Sequence, residues 1–231
     1  MARFFTIIIV ALVHKQTSLK VVTYFMGTII IDGIEYSLDG LERDIWLRLL
    51  NGAVRYKDAL HNPVVANVNQ HGINIRTVVL RKVKSVEKQL SFHTDIRTGK
   101  WKELQQQNNI SWLFYDAPGK VQIRLSGKAT LHYNDTFVEE VWEASTMSSR
   151  KVYLGETAPS EIATLPISGL PAAFEAGDPT PEESKAGRKN FGIVVTTVTW
   201  MEWLWLNSKG HRRAGFSYFD DGSFKAHWLI P

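Results

Sequence analysis

Five short runs of β-branched and aromatic residues, each closed by turn residues, crowd into residues 63–133 and leave the chain little freedom of fold. They are PVVANVN (63–69), NIRTVVLRKV (74–83), KQLSFHT (88–94), ISWLFYD (110–116) and KVQIRLSGKATLHY (120–133). Their length and composition predict strands, and APGK at 117–120 supplies a reverse turn between two of them. Strand-like text returns in FGIVVTTVTWMEWLWLN and HRRAGFSYFDDGSFKAHWLIP, the latter a hairpin around Asp220, Asp221 and Gly222. Between these blocks, residues 159–189 hold more than half of the chain's 8 prolines and read as a surface excursion, not a second domain. Helical spacing is confined to three places. In SLDGLERDIWLRLLNGAV, Leu41, Ile45 and Leu49 share a face, with Asp39 as cap and Gly52 as stop. The others are 98–107 and 135–146. The prediction is an α+β chain, mainly β: an antiparallel barrel of six to eight strands with two or three peripheral helices.

A chain of 231 residues with 44% apolar and 22% charged residues suits one globular domain. The net charge of +4 is small and dispersed, which argues against a nucleic-acid partner. The absence of cysteine excludes disulfides, thiolate metal sites and a cysteine nucleophile, and agrees with a cytoplasmic location. The 7 histidines show no ligand spacing, so no metal is expected. Neither dinucleotide nor P-loop glycine signatures occur. The opening MARFFTIIIVALVHKQ has an apolar run from Phe4 to Val13, too short to span a bilayer and followed by no small-residue cleavage site. Met26 reads as a natural start. Residues 1–25 are therefore expected to be an extension, 26–231 the domain, and no membrane partner is expected.

The turn FHTDIRTGK, residues 92–100, leaves a strand and opens a helix. Lys100 falls in the first helical turn, where free N–H groups favour an anion and a lysine is unfavourable without one. Arg76 enters an otherwise apolar strand, sharing a face with Val78 and Leu80, while Thr77, Val79 and Arg81 take the other. An arginine fork, a lysine and helix N–H groups together make a phosphate clamp. Spacing leaves a second reading open, in which both are solvated surface charges.

Four motifs in order settle on one resemblance. RTVVLR (76–81), FHTDIRTGK (92–100), FYDAPGKVQIRLSG (114–127) and the block from Met201 to Pro231 resemble the pyridoxamine 5'-phosphate oxidase family of FMN-binding split barrels. The resemblance runs from about residue 41 to 231. It implies FMN as cofactor, with Arg76 and Lys100 on its phosphate and Thr98 as a hydroxyl donor. Thr77, Val78, Val79 and Arg81 would run along the cofactor, with His93 and Thr94 beside the ring and ribityl chain. Gln122 would bond the isoalloxazine edge, and Trp203 (or Trp205) and Arg213 would supply late contacts. A homodimer with FMN between the subunits is also implied.

The substrate half of the family pattern departs. The family's lysine, tyrosine, arginine and serine correspond to Arg81, Trp142, Thr146 and Ser149, and the late R-x-H is replaced by HRRAG, leaving Arg212 or Arg213. The resemblance thus implies an FMN-dependent oxidoreductase acting on a small amine or alcohol, with oxygen as an acceptor. The rival is a flavin-binding or NAD(P)H-dependent flavin reductase-like protein without pyridoxamine phosphate oxidase activity. A haem-binding split barrel is a third reading, to which the scattered histidines give little support.

Overall fold

The computed structural model describes residues 27–231 except Asp32; the apolar run 4–13 and the boundary expected at residue 25 lie outside the described residues. A short hairpin, β1 (Ile29–Ile31) and β2 (Ile34–Tyr36), leads into α1 (Leu38–Val54). Helix α1 buries Leu41, Ile45, Trp46 and Leu49 on one side. Its cap is Ser37, whose hydroxyl accepts from the Gly40 N–H at 3.1 Å, and not the expected Asp39, which stands in the first turn instead. The helix also runs two residues past the expected stop at Gly52.

Then follow β3 (Val64–Asn69), β4 (Gly72–Thr77), β5 (Lys82–Lys84), β6 (Gln89–Asp95), α2 (Gly99–Gln106), β7 (Asn109–Asp116) and β8 (Val121–His132). After α3 (Thr136–Glu143), α4 (Met147–Lys151) and the excursion come α5 (Pro181–Arg188), β9 (Phe191–Trp205), β10 (Arg212–Tyr218) and β11 (Phe224–Leu229). Among the described residues all strand pairs are antiparallel: β1 and β2 form a two-stranded sheet of their own, and the rest make one nine-stranded sheet of order β11-β10-β9-β8-β7-β3-β4, with β6 joined to the first half of β9 and β5 to β6. The α+β, mainly β prediction holds. The expected counts of strands and helices were too low, because the β1–β2 hairpin was not anticipated, the run 74–83 breaks into β4 and β5, and two helices, α4 and α5, follow α3 before β9.

The two long strands β8 and β9 form the spine. Their register slips at Ser126/Gly127, a bulge that skips one residue of β9. Only glycine fits there: a Cβ on Gly127 would stand 2.0 Å from the Thr197 carbonyl oxygen. The bulge switches the parity of β9, so Thr196 and Val198 point into the core before it, and Met201 and Trp203 after it.

The core is aromatic. Trp112 stacks on Phe114 at 5.9 Å, meets Phe92 edge-on at 5.6 Å, and donates from Nε1 to the buried Thr196 hydroxyl at 3.0 Å. Thr196→Val keeps the volume but leaves that N–H without an acceptor, so a loss of about 1–3 kcal/mol is expected in urea unfolding. A loss near zero would mean that the bond adds nothing to stability. A second cluster, Val138, Trp142, Tyr153, Phe191 and Ile193, seals α3 against the other face of β9.

Candidate functional site

A cleft of about 590 Å³ opens where β4 ends, β6 ends and α2 begins. Arg76, Thr77, Val78, Val79 and Arg81 line one wall, His93, Thr94, Thr98 and Lys100 another, and Val152, Tyr153, Pro159 and Ser160 close it. A second cavity of about 180 Å³ continues from it, sharing Arg81, His93, Val152 and Tyr153 and adding Trp142, Ser149 and Arg150.

Local folding explains the polar wall. Strand β6 is hydrogen-bonded to β9 up to Asp95, after which Thr98 begins α2. Thr98 does not cap this helix through its side chain; its hydroxyl donates to the Asp95 carbonyl at 2.7 Å. The first N–H groups of α2 thus remain free for a ligand. Lys100 Nζ donates to the Thr94 hydroxyl at 2.7 Å and lies 3.4 Å from that of Thr98. Among the described residues no carboxylate pairs with it. Burial, and then the charge of Arg76, push its pKa down to about 8, against the pull of Asp95 and Glu103.

Arg76 is held differently. Its guanidinium donates to the Asn67 side-chain oxygen and lies 3.5 Å from Glu103, on α2. Glu103 also accepts from Asn67 at 2.7 Å, Asn69 at 3.0 Å and Asn74 at 3.1 Å. Burial alone would raise its carboxyl; the three amides and Arg76 outweigh that and hold it below the usual carboxylate range. So Arg76 is positioned by a fixed carboxylate, while Lys100 has no carboxylate in ion-pair contact among the described residues. Two cations side by side, one without a counter-ion, make a site for an anion.

At the junction of the two cavities His93 packs edge-on to Phe191 at 4.9 Å. Burial, and then Arg81, lower its pKa to about 3, so it faces a ligand as a neutral imidazole. Tyr153, a residue that spacing alone did not single out, stands beside it, packed edge-on against Phe191 at 5.0 Å. Burial raises its phenol far above the ordinary range, which keeps the hydroxyl protonated.

The other expected contacts do not line this cleft within one chain. Trp203 is 3% exposed in the core, turned inward by the bulge, and presents no face to a ligand. Gln122 and Arg213 lie on the outer sheet face, in a cross-strand row with Tyr115 and Leu204. Arg213 pairs with the buried Glu202 at 2.5 Å, and Arg124 holds the other oxygen of Glu202 at 2.9 Å. Arg212 is exposed and donates to the Gly210 and His211 carbonyls. Thr146 is the cap of α4, its hydroxyl 3.0 Å from that of Ser149, and lines neither cavity. Trp142 lines the smaller cavity as part of the second aromatic cluster. Among the described residues no group of acidic or histidine side chains could hold a metal ion, and no helix is long and apolar enough to cross a membrane.

Comparison with known proteins points to one fold. The family model described as pyridoxamine 5'-phosphate oxidase, FMN-binding domain, matches residues 44–133. The chain is similar to a pyridoxamine 5'-phosphate oxidase-related, FMN-binding protein from Nostoc punctiforme, at 22% identity over 82% of this chain and 97% of that one, with a TM-score of 0.63. It is also similar to PhzG from Burkholderia lata, solved with tetrahydrophenazine-1-carboxylic acid, at 18% identity over 82% of this chain and 90% of that one, with a TM-score of 0.60. These likenesses identify the fold as the FMN-binding split barrel. No curated protein matches the chain.

Proposed function

We propose that this chain, whose residues 44–133 match the pyridoxamine 5'-phosphate oxidase FMN-binding domain model, belongs to that family, binds FMN in the cleft and performs flavin-dependent redox chemistry. The observation that carries this reading is Lys100, a desolvated ammonium with no ion-paired carboxylate among the described residues, beside Arg76 and the free start of α2. A phosphate dianion supplies the missing charge. A cleft of about 590 Å³ is of the size that cofactor pockets have. When bound, the flavin supplies hydride transfer. The protein's own residues hold and screen it: Arg76 and Lys100 fix the phosphate, and Thr94 orients Lys100. His93, neutral, and Tyr153, protonated, border the space where a substrate meets the ring.

The reading includes a homodimer. Gln122 and Arg213 stand on the outer sheet face with the exposed Ile73, Ile75, Leu113 and Tyr115. A second copy laid on that face would cover this apolar surface and bring Gln122 and Arg213 toward the neighbour's cleft. The activity proposed is that of an FMN-dependent oxidoreductase, supported by the family match, in a reducing, cytoplasmic setting with which the cysteine-free composition agrees. Within it, a small amine or alcohol is the proposed substrate class. The test is reconstitution with FMN: a flavin spectrum at one cofactor per chain and a dimer in sedimentation are expected, and a colourless monomer at saturating FMN would overturn the reading.

A pH dependence follows from Lys100. In the free protein it loses its proton above about pH 8, whereas a bound phosphate requires the ammonium. Affinity should therefore fall as pH rises, roughly tenfold between pH 7 and 9, where a phosphate monoester stays dianionic. Without FMN the sign reverses. The folded pKa lies below the unfolded one, so the unfolded chain binds more protons between about pH 8 and the ordinary lysine value of 10.5, and stability rises across that window. FMN titrations by flavin fluorescence at the two pH values check the first effect; Lys100→Met should flatten the profile.

A further inference from the structure

A trough on the sheet face that carries α3 has the features of a second ligand site. Its floor is one cross-strand row, Lys82–Ser91–Val195–Thr130, running over β5, β6, β9 and β8. Four strands span roughly 14 Å at the usual spacing. The volume is about 310 Å³. Helix α3 covers Phe191 and Ile193 but stops short of Val195, whose side chain is left half-buried in the trough. Phe137 forms one wall, fixed edge-on to His132 at 5.1 Å, while His132 is tied to Asp135 at 2.9 Å. At the far end Lys82 and Lys84 project from β5, and among the described residues neither meets a carboxylate. Ser91 is 6% exposed as a residue and lines the trough, and its hydroxyl is not one of the buried polar atoms left without a partner. A solvent-accessible hydroxyl at the foot of two ammonium groups without carboxylate partners offers donors to an acceptor.

We infer that this trough binds an amphipathic organic anion. The acid group meets Lys82, Lys84 and the Ser91 hydroxyl, and an aromatic or aliphatic body lies on Val195 against Phe137. The site is separate from the FMN cleft, with which it shares no lining residue.

The test uses 2-naphthoate as probe and protein saturated with FMN, so that the cleft is filled; should no FMN bind, the apo chain serves equally, and failure of one reading leaves the other measurable. Calorimetry should find one saturable site per chain. Lys82→Glu with Lys84→Glu, both exposed, should weaken it roughly tenfold or more without altering FMN content. Phe137→Ala should weaken it several-fold, and neutral 2-naphthalenemethanol should bind far less well. No binding at millimolar probe, equal binding by the neutral analogue, an unchanged charge-reversed variant, or displacement of the probe by FMN would each overturn the proposal.

Discussion

Replacing Arg76 and Lys100 together by alanine is expected to weaken FMN binding by roughly a hundredfold or more. Each charge-assisted contact to a phosphate is worth about 1.5–3 kcal/mol, and the two lie on different elements, so neither takes over for the other. The fold should persist. Glu103 keeps its three asparagine donors when Arg76 is removed, and Lys100 leaves only two hydroxyls that already have other partners. Circular dichroism on heating should therefore show a melting point close to that of the parent, while equilibrium dialysis shows the loss of flavin. A double variant that still purifies with stoichiometric FMN would overturn the assignment of this cleft to the phosphate.

The meeting of Arg76 and Lys100 in one cleft was legible in the sequence because its parts are local. Arg76 announces itself as a charge in an apolar strand, and Lys100 as a cation at a helix start, where an isolated helix disfavours one. Glu103 was not legible as the partner of Arg76, since it meets that strand only when α2 packs beside β3. Tyr153, Pro159 and Ser160 were missed for another reason. They belong to turns and to the proline-rich excursion, which has no periodicity from which a direction can be read. Trp203 was expected only from the resemblance, and the bulge opposite Gly127 adds one residue to β9 and turns that side chain into the core. The fold class survived all of this, because it rests on the number and antiparallel order of short strands and not on the facing of any one side chain.

Pyridoxamine 5'-phosphate is expected to be a poor substrate, reduced by roughly a hundredfold or more in kcat/KM against a family member with the full substrate set. Its phosphate would need charged and hydroxyl donors of its own besides those that would hold the FMN phosphate. Arg81 remains: it lines both cavities and forms no ion pair among the described residues. Trp142 stands where the family has a tyrosine, but it is 1% exposed and locked against Phe191 at 5.2 Å, with no hydroxyl to offer. Thr146 stands where the family has an arginine, and its hydroxyl is spent on Ser149 and the start of α4. Arg150, one turn later, does not make good that loss. Its guanidinium lies on Trp142 at 5.1 Å and donates to the Glu143 carbonyl and carboxylate and to Ser184. Two donors to a dianion are thus gone, each worth about 1.5–3 kcal/mol. A substrate with less negative charge, placed against Arg81, His93 and Tyr153, suits the remaining groups better. The measurement is anaerobic bleaching of the bound flavin by pyridoxamine 5'-phosphate, followed by turnover with oxygen. Slow, non-saturating bleaching is expected, and rapid, saturable bleaching at micromolar substrate would show that the pocket has been rebuilt for the same phosphate by residues other than these.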